Sequence, residues 1–496
     1  MQISDTGITA VVERGIKHEK GLVADDVDVS TSQGIVTLSG SVGNVFAKDR
    51  TVRIAESFRG VRGVIDQIGV TPVSRPDEEI HKDILAALRQ DPATESYQVT
   101  VSVQDAVATL AGSVGSNGEK ELAARIAEGI KGVKQVRNDV AINYLAKATD
   151  TQIANDIKAR LQWDIWINGE LINPAVKEGK VTLSGTIGST ISKSRALEDA
   201  WVYGVTSVDG NGLKVEPRAS KGAHQEHEFA SRSDSEIKKA ILAALHLDPR
   251  VSAFSLAVTV EDGGVILGGN VGNLKAKTAA EQDAKNIVGV WRVDDLLNVR
   301  AKEQYTDAEM EKQLKAALAW DSALDDSEIN VTVSNHIATL SGSVDSGLQK
   351  AEAQDVASRA KGVLSIRNHL KAEPQFANYY YNDRPYYGYD DSPYYSGFSG
   401  GPYSYQALDY DLGVYEPQLY LTDAQIKKGI KDEFFWSPFV DSDDIKIAVS
   451  EGVATLTGTV GTKIGSREAE NDAYEGGASA VVDQVKVKHS AWWWKW

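Results

Sequence analysis

The sequence predicts an α+β fold in tandem: six small α-β-β-α-β sandwich domains, each with two helices on one face of a small mixed sheet. The phrase Val36-Thr37-Leu38-Ser39-Gly40-Ser41-Val42 returns around Gly112, Gly185, Gly269, Gly342 and Gly458, at spacings of 72, 73, 84, 73 and 116 residues. A second glycine follows each of these by 19 or 20 residues, at Gly60, Gly132, Gly204, Gly289, Gly362 and Gly477. In phase with both glycines runs an amphipathic stretch, opened in most units by a capping signal. Self-similarity at a near-fixed period fixes the architecture as an array.

Each unit opens with a helix. Ile80, Ile84, Leu85 and Leu88 in the second unit, and Ile237, Ile241, Leu242 and Leu245 in the fourth, form one apolar stripe. Thr149 with Gln152, Ser233 with Glu236, Thr306 with Glu309 and Thr422 with Gln425 are capping boxes, whereas the first unit keeps only Ser4 and the second has Pro76. Strict alternation follows, as in Val99-Thr100-Val101-Ser102-Val103, which predicts a strand with one buried face. A short polar turn such as Glu261 to Gly264 leads into the glycine strand. Its glycine permits a backbone geometry or close approach denied to larger residues. An Ala-rich helix comes next (Glu119 to Ile130; Lys350 to Lys361), with the second glycine read as its C-terminal cap. A last strand closes the unit, as at Val133 to Ile142.

These motifs in register resemble the BON family, the bacterial osmotic-stress and nodulation domain. The resemblance rests on the Val-Thr-Leu-Ser-Gly phrase and on second glycines followed by valine (Gly60-Val61, Gly132-Val133, Gly289-Val290, Gly362-Val363). It rests also on the helix-end pairs Trp163-Asp164 and Trp320-Asp321. It implies binding rather than catalysis, toward phospholipid surfaces or other periplasmic and envelope components, and a link to osmotic shock protection. The third unit departs from the pattern. Pro174 stands where its first strand runs, marking an edge or bulge, and Val208 to Leu213 carries a turn signal in place of a clean strand. The units are expected at 1–72, 76–144, 148–217, 232–301, 305–372 and 421–489, with a polar linker at 218–231.

Composition narrows the function. Seventy acidic residues against 53 basic ones leave a net charge of −17, which argues against nucleic acid and weakens attraction to anionic lipid. No apolar stretch approaches the roughly 20 residues of a spanning helix. The N-terminus shows no signal-peptide pattern, so the cytoplasm is the default expectation and the periplasm or envelope the alternative. With no cysteine there is no thiol nucleophile, and the eight histidines share no repeated position. His224 and His227 sit in the polar linker without further ligand types, and the acid clusters near Asp25, Asp325 and Asp441 lack the spaced acid loop of a calcium site. No catalytic residue, metal site or cofactor is expected.

Two aromatic segments stand outside the repeat. Residues 373–420 hold 13 of the 18 tyrosines, among them Tyr379, Tyr380, Tyr381, Tyr386, Tyr387, Tyr394 and Tyr395, in a low-complexity setting of Gly, Pro, Ser and Asp. They read as a spacer or as an aromatic strap. The tail 490–496 carries Trp492, Trp493, Trp494 and Trp496, which suit a lipid interface, docking on another molecule, or packing on their own domain. By contrast Trp163, Trp320 and Trp436, at the ends of first helices, read as core residues of their units. A unit of about 70 residues buries only about 60% of its unfolded surface, so neighbours are expected to pack together. The leading expectation is a multivalent scaffold that assembles with copies of itself or a structural partner; the rival is a peripheral phospholipid-binding stress protein.

Overall fold

The computed structural model describes residues 3–18, 26–95, 97–144, 147–216, 232–251, 256–301, 303–324, 329–372, 422–440, 444–450, 452–460, 463–478 and 480–487. Among these are 12 α-helices and six three-stranded sheets, two helices and one sheet to each α-β-β-α-β domain. Domain 2 is representative: helix Asp77–Gln90, strands Gln98–Gln104 and Val107–Val114, helix Asn117–Glu128 and strand Gln135–Ile142. The first two strands pair antiparallel as a hairpin, and the second helix crosses over so that the third strand lies parallel to the second. The chain divides into two compact units, with domains 1–5 in one and domain 6 in the other.

The glycine strand is always central, so its alternate residues form the floor of each core. In domain 2 Ala108 and Leu110 meet Ile80, Ile84 and Leu88 of the first helix and Ala123 and Ala127 of the second. The helical stripe is narrower than the sequence suggested: Leu85 is half-buried and Leu242 is 41% exposed, because i, i+4 and i+8 already fill the contact line and i+5 falls on its flank. All four expected capping boxes form.

The strand glycine has φ between 116° and 126° in every domain. A Cβ at Gly112 would stand 2.1 Å from the Gln98 carbonyl oxygen, and one at Gly40 would stand 1.8 Å from that of Asp26. The glycine thus lets the first strand close on the second. The second glycine lies two to four residues beyond the helix C-cap rather than at it, for example Gly132 after Gly129. There it keeps a positive φ and clears the first helix: a Cβ would meet Ile80 Cδ1 at 3.0 Å in domain 2 and Met310 Sδ at 3.0 Å in domain 5.

Domain 3 corrects one expectation. Residues 207–215 form a continuous strand, and the irregularity is a bulge opposite Thr182 to Ser184. Gly210 and Gly212 make that possible, since a Cβ at Gly210 would lie 2.4 Å from Leu197 Cδ2 and one at Gly212 2.8 Å from the Leu183 oxygen. Pro174 sits on the edge strand, where its missing N–H costs no ladder bond.

One contact recurs in every domain. The first residue of the first helix is always aspartate (Asp5, Asp77, Asp150, Asp234, Asp307 and Asp423). In the first five domains its two oxygens accept both N–H groups at the tip of the hairpin, as from Asn335 at 2.8 Å and His336 at 3.0 Å to Asp307. In domain 6 Gly452 N donates to Asp423 at 2.9 Å. Those tip residues carry positive φ, as at Asn335 (51°) and His336 (62°), so the turn is of the tight hairpin type and its amides point together at the carboxylate. The two backbone N–H bonds lower the pKa of Asp150 and Asp307.

Two outcomes are expected. Gly112→Ala should destabilise domain 2 by at least about 1–3 kcal/mol, the backbone strain at positive φ, with the clash against the Gln98 oxygen added to it, read by chemical denaturation of the full chain. Asp307→Asn should speed hydrogen exchange at Asn335 and His336 at neutral pH. Because the folded carboxylate has the lowered pKa, the clamp is complete above the unfolded value and is lost as pH falls through the folded one. Wild type should therefore approach the variant's exchange rate in acid.

Candidate interaction surfaces

The first helices of domains 3 and 5 end on tryptophans that the sequence marked for the domain's own core, and the structure uses these two otherwise. In domain 3 the helix Asp150–Trp163 stops at Asp164, whose backbone turns extended (φ −79°, ψ 122°). That turn frees main-chain groups on either side of it. Ile165 N donates to Asn286 O at 3.0 Å and Val288 N donates to Trp163 O at 2.9 Å, so domain 3 forms an antiparallel bridge with domain 4. Domain 5 does the same to domain 2: Lys131 N donates to Trp320 O at 2.7 Å and Ser322 N to Gly129 O at 2.8 Å.

The indoles follow the backbone. Half-buried Trp163 packs against the core of domain 4, and half-buried Trp320 against that of domain 2. They are seam residues, not core residues of their own units. A helix end gives an aromatic ring too little covering area at home, and a neighbour supplies the rest. Arg232 of domain 4 adds its guanidinium 4.9 Å from the Trp163 ring centroid. Trp436 of domain 6 is buried, with Phe435 packed edge-on at 5.1 Å.

Polar groups complete the seams of the five-domain unit. Asn273 caps its own helix by accepting from Ala276 N at 2.8 Å, while its Nδ2 donates to Arg359 O of domain 5 at 2.9 Å. Asn44 of domain 1 works identically, accepting from Ala47 N and donating to Ser322 O at 2.9 Å. Domains 2, 3 and 5 carry serine at this cap, which has no amide to spare. Lys275 meets Asp355 at 2.5 Å between domains 4 and 5, and Lys361 of domain 5 pairs with Glu95 of domain 2. Domain 1 receives Thr190 Oγ1 of domain 3 on the Val61 oxygen at 2.7 Å. Tyr144 closes the step between domains 2 and 3, donating to Val205 O at 2.7 Å with its ring 4.8 Å from that of Tyr203.

A second surface is the outer face of the domain 4 sheet. Where the other five domains place Thr37, Thr109, Thr182, Thr339 and Thr455, domain 4 has Ile266. Where they place Gln67, Asp139, Gly212, His369 and Gln484 on the third strand, it has Leu296. Ile266, Leu296 and Trp291 are 41%, 63% and 53% exposed. Five threonines at the first position, and four polar residues and a glycine at the second, mean the sheet itself does not require apolar residues there.

The other sequence-marked candidates lie outside the described residues: the tyrosines from Tyr379 to Tyr395, Trp492, Trp493, Trp494 and Trp496, His224 and His227, the cluster beginning at Asp325, and the cluster beginning at Asp441 except for Asp444. Among the described residues no group of three or more His, Cys, Asp or Glu is placed to hold a metal, and no helix is long and apolar enough to cross a membrane. The clamp aspartates and the bifunctional Asn caps went unremarked in the sequence. The first was visible as an aspartate in phase in all six units, the second only as Asn against Ser.

Trp320→Ala should open the seam between domains 2 and 5 while leaving both folded. The expected cost is at most about 3 kcal/mol, the low end for a Trp truncation because the ring is half-buried. Hydrogen exchange at residues 129–133 should rise and that in the Val107–Val114 strand should not.

Comparison with known proteins agrees with the repeat. The BON domain model matches residues 4–72, 76–144, 149–217, 233–301, 306–374 and 422–489. Osmotically-inducible protein Y of Escherichia coli (strain K12) is 31% identical over 145 residues, covering 28% of this chain and 72% of that protein. Two structures of CdsD, a structural protein of the type III secretion system of Chlamydia trachomatis, overlap 41% and 43% of this chain at 16% and 15% identity. They are covered to 90% and 100% of their own lengths, each with a TM-score of 0.12.

Proposed function

The chain belongs to the BON domain family, and from that premise we propose that it is a non-catalytic, multivalent scaffold that assembles with copies of itself. The observation that carries this reading is the repeated seam. BON domains of this chain bind other BON domains through two main-chain hydrogen bonds and an inserted indole, once between domains 3 and 4 and once between domains 2 and 5. The two backbone bonds of each seam need no particular side chain, so they suit homotypic association. Several weak sites on one chain raise avidity by roughly 10²–10⁴ when they engage together.

The outer sheet face of domain 4, where Ile266, Leu296 and Trp291 stand exposed beside the Arg292–Asp294 ion pair, is the outward contact of this scaffold, and a second copy of the same face is its partner. Gly264 and Gly268 lie beside Ile266 and Leu296 without side chains, which leaves the face flat enough for sheets to stack at about 10 Å. The patch is small against the roughly 800 Å² per partner of a stable interface, so alone it gives weak association that further contacts must reinforce. The tyrosine segment 373–420 and the tail 490–496 are the proposed source of those contacts. The relative's name, osmotically-inducible protein Y, supports a role under osmotic stress. A cytoplasmic location belongs to the same proposal and is checked by cell fractionation.

Light scattering across concentration tests the reading. The full chain should self-associate, and Leu296→Lys with Trp291→Lys should weaken that association at least tenfold without loss of secondary structure. Deleting residues 491–496 should weaken it further. A monomer at all concentrations that co-sediments with neutral or anionic liposomes would replace the scaffold with a peripheral lipid-binding protein.

A further inference from the structure

Domains 3, 4 and 5 each bury one acid at the end of the first helix and another on the second helix. In domains 3, 4 and 5 the residue that ends the first helix is Asp164, Asp248 or Asp321, and none is more than 6% exposed. From the second helix Asp199, Asp283 and Glu352 face them, each 3% exposed. Beside burial itself, the neighbouring acid is among the causes that raise Asp164, Asp283 and Glu352. Ionised carboxylates only accept, so two such groups side by side can bond to one another only when one carries a proton.

The remaining partners leave room for that proton and nothing else. Asp164 accepts from Trp166 N at 2.7 Å and from Arg195 Nε at 2.5 Å, and Asp199 Oδ1 accepts from Arg160 Nε at 2.7 Å. Asp248 accepts from Arg250 Nε at 2.9 Å, Nη2 at 2.5 Å and backbone N at 2.8 Å. Asp321 accepts from Ala323 N at 2.9 Å, while Arg359 and Lys275 are held by Asp355. Three oxygens stay buried with no N–H or O–H donor in reach: Asp199 Oδ2, Asp283 Oδ2 and Glu352 Oε2. They are one oxygen from each pair, all on the second helix. Acids also outnumber bases. Asp164, Asp199, Asp248 and Asp283 face Arg160, Arg195 and Arg250. Asp321, Glu352 and Asp355, with Asp91 of domain 2 close by, face Arg359, Lys275 and Lys361.

We propose that each pair holds one shared proton at neutral pH and that these three protons latch the seams, so that alkalinisation opens the five-domain unit. The latch acts through the backbone. Asp164 and Asp321 are the residues whose chain neighbours bridge to domains 4 and 2. Two like charges buried side by side there push the helix end off the second helix and withdraw the bridging amides. Burial raises Asp164 to about 7 and Asp321 to about 6, and lifts Asp283 and Glu352 well above the carboxylate range. Raised acids stabilise the folded seam fully below their unfolded values and lose that contribution as pH climbs through the folded ones. Opening at domain 3 therefore falls near pH 7.

The test is the full chain carrying Asp199→Asn, Asp283→Asn and Glu352→Gln. An amide donates the same hydrogen bond and cannot lose it. Infrared spectra at pH 6 should show a protonated-carboxyl band in wild type that shrinks by about three groups in the variant. Glu56 and Glu128, which burial also raises to about 7, contribute equally to both spectra and cancel in the difference. In sedimentation velocity from pH 6 to 9 wild type should expand, and the variant should expand about one pH unit higher or not at all. An unchanged carboxyl band, or the same expansion midpoint in both proteins, overturns the latch. Should the triple variant misfold, the wild-type spectrum decides alone: the band must fade over the same pH range in which the particle expands.

Discussion

The aspartate that opens each first helix fixes the rest of the domain. Its carboxylate holds the two amides of the hairpin tip, so one end of the helix is pinned to one end of the sheet. A pinned helix of constant length delivers its last residue to a constant place. In domains 2 through 6 the helix runs 14 residues from that aspartate, and in domains 3 and 5 it stops at the tryptophan that enters a neighbour. Seam geometry is thus inherited from a contact at the far end of the helix, about 20 Å away at 1.5 Å per residue.

Six copies of one fold in one chain act as controls for each other. Positions that never vary, such as the clamp aspartate and the two glycines, answer to the fold. Positions that vary among copies answer to where each copy sits. The cap of the second helix is serine when it serves only its own helix and asparagine where a neighbour's carbonyl stands within reach. The threonine of the outer sheet face becomes Ile266 in domain 4 alone. Charge shows the same division. A chain of net −17 nevertheless spends buried acids between its domains, where solubility gains nothing from them.

Most of the fold was legible because it rests on local periodicities: the alternation of the strands and the capping boxes formed as read, and the helical stripe formed on its i, i+4 and i+8 positions. What periodicity could not show was partnership. Trp163 and Trp320 have the spacing of core residues, and only three-dimensional neighbours reveal that the core in question belongs to another domain. The strand at 207–215 was misread for a related reason. Asp-Gly-Asn-Gly is turn chemistry in isolation, yet Leu197 and the Leu183 carbonyl press so closely there that glycine is what the strand needs. The buried acid pairs were hidden because their members sit about 35 residues apart, one on each helix.

The pairing of domain 2 with domain 5 around the pair of 3 and 4 has a cost in time. Lys131 and Trp320 are about 190 residues apart in the chain. At a synthesis rate of 5–20 residues per second, domain 2 leaves the ribosome roughly 10–40 s before its partner exists. Through that interval its indole-binding surface and the carbonyl of Gly129 face water, open to any other nascent copy on the same message. Crowded translation would then favour exchange of domains between chains over closure within one. The nesting order, invisible in the finished particle, decides how a cell must make this protein.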